Sequence, residues 1–316
     1  AAGSRLALQN FPNVHIKTQT TVYGIQKESG DWKITYSNKN DESQEDYFDY
    51  LINAAGFKTG EIDDMLGVSS RRMVEFKASY ISKWQEKSDV LFPEIIFHGE
   101  RGTPRGMAQF TPYPGGYFQL HGMTNDITLY DDGLSKSTSI SSQPVLEDNF
   151  IQKIDRGWSR EEITQRTYNA IAHVEQFIPA FANASVGSKP LFGAQQIPGD
   201  DASLRVAEVS FPLPSYARCE IVKVSSSIDM AKAIASDLVT LNYLYADALG
   251  HQRWIHNTFI DEQELRIEAE QICSERGYPA SMAKRNVEKP SLPKHVKRIE
   301  NAETYLDSRC QQWYRA

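Results

Sequence analysis

Cysteine is scarce in this chain of 316 residues, which contains only Cys219, Cys273 and Cys310. Three cysteines that lie far apart predict neither a disulfide framework nor a zinc site. Long apolar runs are lacking as well, because no stretch approaches the roughly 18 residues that a membrane span requires. We therefore expect no membrane span and a reducing, cytoplasmic compartment.

Positive charge is also in deficit. Lys and Arg number 34 against 41 Asp and Glu, which gives a net charge of −7. This balance argues against nucleic acid or an anionic membrane as a partner. The sequence contains no G-x-S-x-G, H-E-x-x-H or P-loop motif. His251 and His256 lack a convincing third ligand, so we expect no metal site.

The first residues do not resemble a natural start. The chain lacks an initiating Met, and residues 1–8 have the composition of a helix that is already under way. We expect a fragment, or a protein cut within a domain. A length of 316 residues predicts about two domains with ample core.

The stretch Asn53-Ala54-Ala55-Gly56 is the most informative motif. An apolar strand leads into it, Gly56 allows a tight turn, and a short helix is predicted over 61–66 with its end at Gly67. In a parallel sheet, such a turn is where phosphate-bearing cofactors usually lie. The alternative is a plain strand–helix connection with no ligand.

The remaining patterns predict a mixture of strands and helices. A short strand at 14–18 precedes a hairpin made by 21–27 and 32–37, and a charged loop follows at 38–45. Five β-rich segments predict an inserted antiparallel sheet, at 74–84, 95–98, 107–111, 117–121 and 127–130. Predicted helices begin at a capping box (159–162) and cover 228–249, 262–276 and 294–313.

The order of these features resembles flavoproteins of the D-amino-acid oxidase and glycine oxidase type. Those proteins have a strand that ends in an Asn-Ala-Ala-Gly turn after a β-meander. Val186-Gly187-Ser188-Lys189-Pro190 stands where they have a Gly-x-Arg-Pro turn. Ile197-Pro198-Gly199 and the segment 216–231 match the regions that follow, so the resemblance covers roughly residues 10–245.

The resemblance implies an α+β fold. Residues 1–70 and 185–250 would form an incomplete α/β-type FAD-binding domain, 71–184 an antiparallel substrate domain with a capping helix, and 251–316 a helical C-terminal extension. The G-x-G-x-x-G fingerprint of the family is absent from the sequence. We therefore expect FAD to bind weakly, or not at all, to this chain.

The cofactor residues implied by the resemblance lie in three segments, and they are Asn53, Ala54, Ala55, Gly56, Lys189, Lys223, Ser225 and Ser226. A positive helix dipole at the serines would stabilise the anionic reduced flavin. The alternative for these serines is a plain helix cap. Bulky residues from Cys219 to Ser225 replace the Gly-rich turn of the family, which argues against a close approach to the flavin ring.

The inserted sheet supplies the substrate candidates, which are Arg105, Gln109, Tyr113, Tyr117, Gln119 and His121. Strand alternation places Tyr117, Gln119 and His121 on one face. We expect Arg105, Tyr117 and His121 to act at the catalytic site, because the family holds the substrate carboxylate with an Arg and Tyr partners. The alternatives are a surface position for Arg105 and a structural role for His121 in the sheet.

Three functions remain open. The first is an FAD-dependent oxidoreductase that oxidises a small amine or amino acid at a C–N bond. The second is a catalytically inactive binding or regulatory protein on the same scaffold, which the departures at Lys189 and 219–223 favour. The third is oxidation of a C–O bond, since a fold does not determine its substrate. The sequence leaves the oligomeric state open.

Overall fold

The computed structural model of the chain describes residues 2–40, 42–87, 92–204, 207–221, 226–249 and 260–286. The strands are β1 (Thr21–Glu28), β2 (Asp31–Ser37), β3 (Ser43–Phe48), β4 (Leu51–Asn53), β5 (Arg72–Lys83), β6 (Ile95–Phe97), β7 (Ala108–Tyr113), β8 (Tyr117–Gly122), β9 (Leu134–Lys136), β10 (Ser185–Pro198), β11 (Ala207–Leu213) and β12 (Tyr216–Ile221). The helices are α1 (Ala2–Gln9), α2 (Thr59–Met65), α3 (Asp148–Arg156), α4 (Arg160–Glu175), α5 (Ser227–Thr240) and α6 (Glu262–Glu275).

The first sheet is an antiparallel meander of β1, β2 and β3. The predicted hairpin is confirmed: Ser29 and Gly30 both have positive φ, as a tight two-residue turn requires. Part of the predicted charged loop instead forms β3, because its residues pair with β2. The strand predicted at 14–18 is wrong, since these residues are irregular.

A small sheet with the order β11-β12-β4 carries the Asn-Ala-Ala-Gly motif. β4 runs parallel to β12, and Asn53 lies opposite Arg218. Ala217, Cys219, Met230 and Ile234 form a buried cluster between β12 and α5. The predicted helix over 228–249 is too long, because α5 ends at Thr240.

The inserted sheet has the order β10-β5-β8-β7-β6, and β9 pairs with β5. One face packs on α4 through a cluster that includes Tyr80, Phe110, Phe118, Ile171 and Val174. The other face is polar. The strand predicted at 127–130 is wrong, because 125–128 form a turn.

β10 is the edge strand of the inserted sheet. It pairs with β5 from Ser185 to Pro198, while the division that gives 185–250 to the cofactor domain stays a prediction. The register shifts twice between Val186 and Leu191. The expected Gly-x-Arg-Pro-like turn is therefore an irregular part of a strand.

The helices confirm several predicted boundaries. The predicted helix start is confirmed, since Ser159 Oγ accepts a hydrogen bond of 3.2 Å from the Glu162 N–H at the start of α4. The helix predicted over 262–276 is α6, which contacts α1. The helix predicted over 294–313 lies outside the described residues. Within the described part of the chain, none of the helices is both long and apolar enough to cross a membrane.

Helices and largely antiparallel sheets make up the fold, so the predicted α+β class is confirmed.

Candidate functional site

The turn after β4 presents three small residues to solvent. Ala54, Ala55 and Gly56 are all exposed. Gly56 has a φ of +62°, and a Cβ placed there would meet none of the described atoms within 4 Å. The predicted tight turn is therefore present, and its exposed residues have only small side chains.

Asn53 organises this turn from inside the protein. Its side chain is buried, and its Nδ2 donates to the Thr59 carbonyl oxygen at 3.0 Å and to the Tyr216 hydroxyl at 2.9 Å. Its Oδ1 accepts from the Ala55 N–H at 3.2 Å. Asn53 thus holds the turn in place through internal hydrogen bonds.

A buried ionic cluster lies behind the turn, and sequence reasoning missed it. Asp63 is fully buried, and its Oδ2 accepts from Arg72 Nη2 at 2.7 Å and from Arg218 Nη1 at 2.8 Å. Its Oδ1 accepts from the Tyr216 hydroxyl at 2.7 Å. Glu220 lies 3.5 Å from Arg72 Nη2 and 3.4 Å from Arg218 Nε. Two arginines therefore share two carboxylates inside the protein.

Burial sets the pKa values in this cluster. Burial lowers the pKa of Arg72 despite Asp63, and it raises the pKa of Glu220 despite the two arginines. The cluster joins α2, β5 and β12, so it ties the small sheet to the inserted sheet. The position of Arg72 directly before the apolar run of β5 is a sequence signal for a buried arginine. The sequence does not reveal which residues pair with it.

A depression of about 360 Å³ lies on the polar face of the inserted sheet. Four neighbouring strands line it with residues that include Lys77, Ser79, Gln109, Gln119, His121, Leu191 and Gln195. The predicted shared face is confirmed for Gln119 and His121, and cross-strand pairing places Gln109 opposite His121. Three of the six substrate candidates thus line the depression, and a fourth, Tyr113, contacts Gln119.

Hydrogen bonds hold the middle of the depression. The Tyr113 hydroxyl donates to Gln119 Oε1 at 3.1 Å, and Gln119 Nε2 donates to Ser79 Oγ at 3.0 Å. The chain of three side chains orients the Gln119 amide. It also connects β7, β8 and β5 across the floor of the depression.

His121 is uncharged at neutral pH. Burial and the neighbouring Lys77 lower its pKa to about 4, against the opposing effect of a hydrogen bond to the Ala78 backbone. A neutral imidazole has one donor and one acceptor nitrogen, so His121 can accept a hydrogen bond.

Glu75 binds three partners at one end of the depression. Its Oε1 lies 2.7 Å from Arg101 Nη2, and its Oε2 lies 3.1 Å from both Lys77 Nζ and Gln195 Nε2. Burial would raise the pKa of Glu75, but Lys77 and Arg101 hold it below its usual value. Arg101 and Glu75 were not predicted, because their contact joins a loop to a distant strand.

The other predicted site residues lie elsewhere. Arg105 is exposed on the loop before β7 and does not line the depression. The Tyr117 ring lies 4.1 Å from Lys83 Nζ, beyond the depression. Lys189 Nζ lies 4.8 Å from the centre of the Tyr278 ring. Ser226 precedes α5 without a side-chain cap bond.

Lys223 and Ser225 lie outside the described residues, so their predicted role in cofactor binding stays a prediction. Within the described residues, no group of three or more His, Cys, Asp or Glu side chains is arranged to hold a metal ion.

No protein-family model matches the chain. No curated protein matches it either.

Solved structures do match. A glycerol-3-phosphate dehydrogenase from Bacillus halodurans complexed with FAD has a TM-score of 0.49 at 13% identity, over 83% of this chain and 47% of the other. An L-amino acid deaminase from Proteus vulgaris has a TM-score of 0.48 at 12% identity, over 72% of this chain and 55% of the other. A glycine oxidase from Geobacillus kaustophilus has a TM-score of 0.42 at 12% identity, over 77% and 53%.

The predicted resemblance to flavoproteins of the glycine oxidase type is thus found again among solved structures. The chain spans about half the length of these structures. Identities and TM-scores this low carry no argument about chemistry, which has to come from the residues of the site.

Proposed function

We propose that this chain is part of an FAD-dependent oxidoreductase that acts on a small polar molecule. The carrying observation is the proximity of two features. The turn that contains Gly56 contacts β10, and β10 also lines the depression through Leu191 and Gln195. We infer that a flat cofactor on the turn would lie next to β10, which is one of the strands that line the depression.

The exposed turn fits a dinucleotide cofactor. Ala54 and Ala55 carry only methyl groups, and Gly56 leaves the backbone open. Residues 54–56 would contact the cofactor, while Asn53 holds the turn from behind. When bound, FAD supplies the acceptor for a hydride from the substrate carbon.

The residues of the depression bind and orient the substrate. Gln119 is held by Tyr113 and Ser79, so its amide needs little reorganisation when a substrate binds. His121 offers an acceptor nitrogen to an N–H or O–H donor of the substrate. The sequence resemblance implies an amine or amino acid and a C–N bond, and a C–O bond on the same scaffold is the alternative.

A catalytically inactive binding protein is the second candidate. The observation that favours it is the exposed position of Arg105. Among the described residues that line the depression, there is no arginine that could bind a carboxylate. Such a protein would bind a small ligand in the depression without transferring a hydride.

Absorbance tests the flavin proposal. The full-length protein should be yellow when purified, with a flavin band at about 450 nm. Substrate added without oxygen should bleach that band. A colourless protein that takes up no added FAD would refute the proposal, and a yellow protein that no amine or hydroxy compound bleaches would favour the inactive alternative.

A matched pair of variants tests the turn itself. Gly56 and Gly67 have φ values of +62° and +67°, and within the described part of the chain a Cβ at either would meet no atom within 4 Å. Alanine at each position should therefore impose a similar backbone strain of about 1 kcal/mol. Gly56→Ala should weaken FAD binding several-fold more than Gly67→Ala, and equal effects would argue against contact with the turn.

A further inference from the structure

The segment between β9 and α3 contacts the turn that follows β4. Gln143, which belongs to this segment, is partly buried. Its Oε1 accepts from the Glu61 N–H at 3.1 Å, and its Nε2 donates to the Phe57 carbonyl oxygen at 3.0 Å and to the Pro144 carbonyl oxygen at 2.8 Å. One side chain therefore bonds the backbone on both sides of residues 58–60.

The partners of this amide determine its orientation. An amide oxygen only accepts hydrogen bonds, and an amide NH₂ group only donates them. Exchanging the two would place the NH₂ group against the Glu61 N–H and the oxygen against the carbonyl oxygens of Phe57 and Pro144. Gln143 therefore satisfies its three partners in a single orientation, which makes it a specific clamp on the turn.

Gly60 allows the segment to approach the turn this closely. A Cβ at Gly60 would lie 2.3 Å from the Ser142 carbonyl oxygen and 2.6 Å from Gln143 Cα, which is much closer than side chains pack. Gly60 does not have the positive φ of Gly56. Glycine is therefore favoured at position 60 by the lack of space and not by the backbone conformation.

Further hydrogen bonds join the segment to α2 and to the residues after it. The Ser142 N–H donates to Asp64 Oδ1 at 2.6 Å, and Ser142 Oγ donates to the Val68 carbonyl oxygen at 2.9 Å. Ser141 Oγ donates to Asp64 Oδ2 at 2.6 Å. The segment thus holds the helix as well as the turn, although Gln143 follows Glu61 by 82 residues in the chain.

We propose that Gln143 is a positioning residue for cofactor binding, which fixes residues 57–61 so that FAD meets an already ordered turn at residues 54–56. This inference rests on the proposed function. Asn53 holds the turn from inside the protein, and Gln143 holds it from the segment between β9 and α3. A site that is ordered before binding loses less conformational entropy when its ligand binds.

Amide exchange and FAD titration of the full-length protein test this role. Gln143→Met keeps the length of the side chain and removes its hydrogen bonds to the turn. In the protein without FAD, exchange measured by mass spectrometry should become about 5- to 30-fold faster in peptides that cover residues 54–61. The affinity for FAD should fall about 3- to 10-fold, because binding then has to order the turn.

Ser159→Ala is the matched control for a general loss of stability. It removes the hydrogen bond that caps α4, and its effect on unfolding should be of similar size. It should leave the exchange of residues 54–61 and the affinity for FAD unchanged. Equal losses of FAD affinity in the Gln143 and Ser159 variants would overturn the proposal, and so would a Gln143→Met variant whose residues 54–61 exchange as slowly as in the parent.

The two proposals can fail separately. A colourless protein that takes up no FAD, but in which Gln143→Met speeds exchange at residues 54–61, would refute the flavin proposal and keep the role of Gln143 in the turn. A yellow protein whose affinity for FAD is unchanged in Gln143→Met would keep the flavin proposal and refute this one.

Discussion

Replacing Asp63 by asparagine tests the buried ionic cluster with almost no change in shape. In the native protein, Asp63 accepts hydrogen bonds from Arg72, Arg218 and Tyr216, and its side chain is fully buried. The asparagine side chain has an NH₂ group in place of one carboxylate oxygen, so one of these donors would face another donor instead of an acceptor. Of the two carboxylates in the cluster, only Glu220 would then remain for Arg72 and Arg218, at 3.5 and 3.4 Å.

The expected cost is large. Removing one partner from a buried ion pair typically costs about 3–5 kcal/mol, because the remaining charge stays buried without compensation. Native domains are stable by only about 5–15 kcal/mol, so the Asp63→Asn variant should lose a large part of its stability. The midpoint of urea unfolding should fall by roughly 1–2 M.

Tryptophan fluorescence and circular dichroism in urea measure this loss. The control is Asp229→Asn, whose side chain is 83% exposed and pairs with Lys232 at 3.5 Å. Such a surface pair contributes less than about 1 kcal/mol. In the double variant Asp63→Asn/Arg218→Met, the loss of stability should be smaller than the sum of the two single losses, because both changes remove the contact between Asp63 and Arg218. An Asp63→Asn variant within about 1 kcal/mol of the parent would refute the argument.

Three further predictions concern the depression, the C-terminal segment and α4. The pKa of His121 is about 4 in the folded protein and 6.5 as its ordinary value, so the protein should lose stability as the pH falls from 6.5 to 4. His121→Gln should reduce this loss, measured by thermal unfolding. Tyr278→Phe should cost about 1 kcal/mol and speed proteolysis near residue 278, because the hydroxyl donates to the Pro190 carbonyl oxygen at 2.7 Å. Ser159→Ala should cost about 1 kcal/mol in urea, since its Oγ caps the Glu162 N–H.

Each of these has a result that would contradict it. An unchanged pH dependence in His121→Gln would show that the imidazole is not held neutral. An unchanged rate of proteolysis in Tyr278→Phe would mean that the hydrogen bond from Tyr278 to Pro190 in β10 does not hold the chain near residue 278 in place. Ser159→Thr keeps the cap hydroxyl and serves as the control for Ser159→Ala, so equal losses in both variants would remove the capping argument.

Features that depend only on neighbouring residues can be predicted from the sequence. The positive φ of Gly56, the Ser29-Gly30 turn and the cap at Ser159 all follow from local backbone geometry and hydrogen bonding. Strand alternation was sufficient to place Gln119 and His121 on one face, because a strand has a period of two residues. The α+β class follows from the same local patterns.

The tertiary structure alone decided which distant segments meet. Local sequence predicts that β10 is extended but not that it pairs with β5. The partners of Asp63 come from β5 and β12, and Glu75 meets Arg101 from a separate loop. The pKa of His121 also depends on burial and on Lys77 from another strand. Charge balance inside a fold is a sum over such non-local contacts, and no local pattern in the chain encodes it.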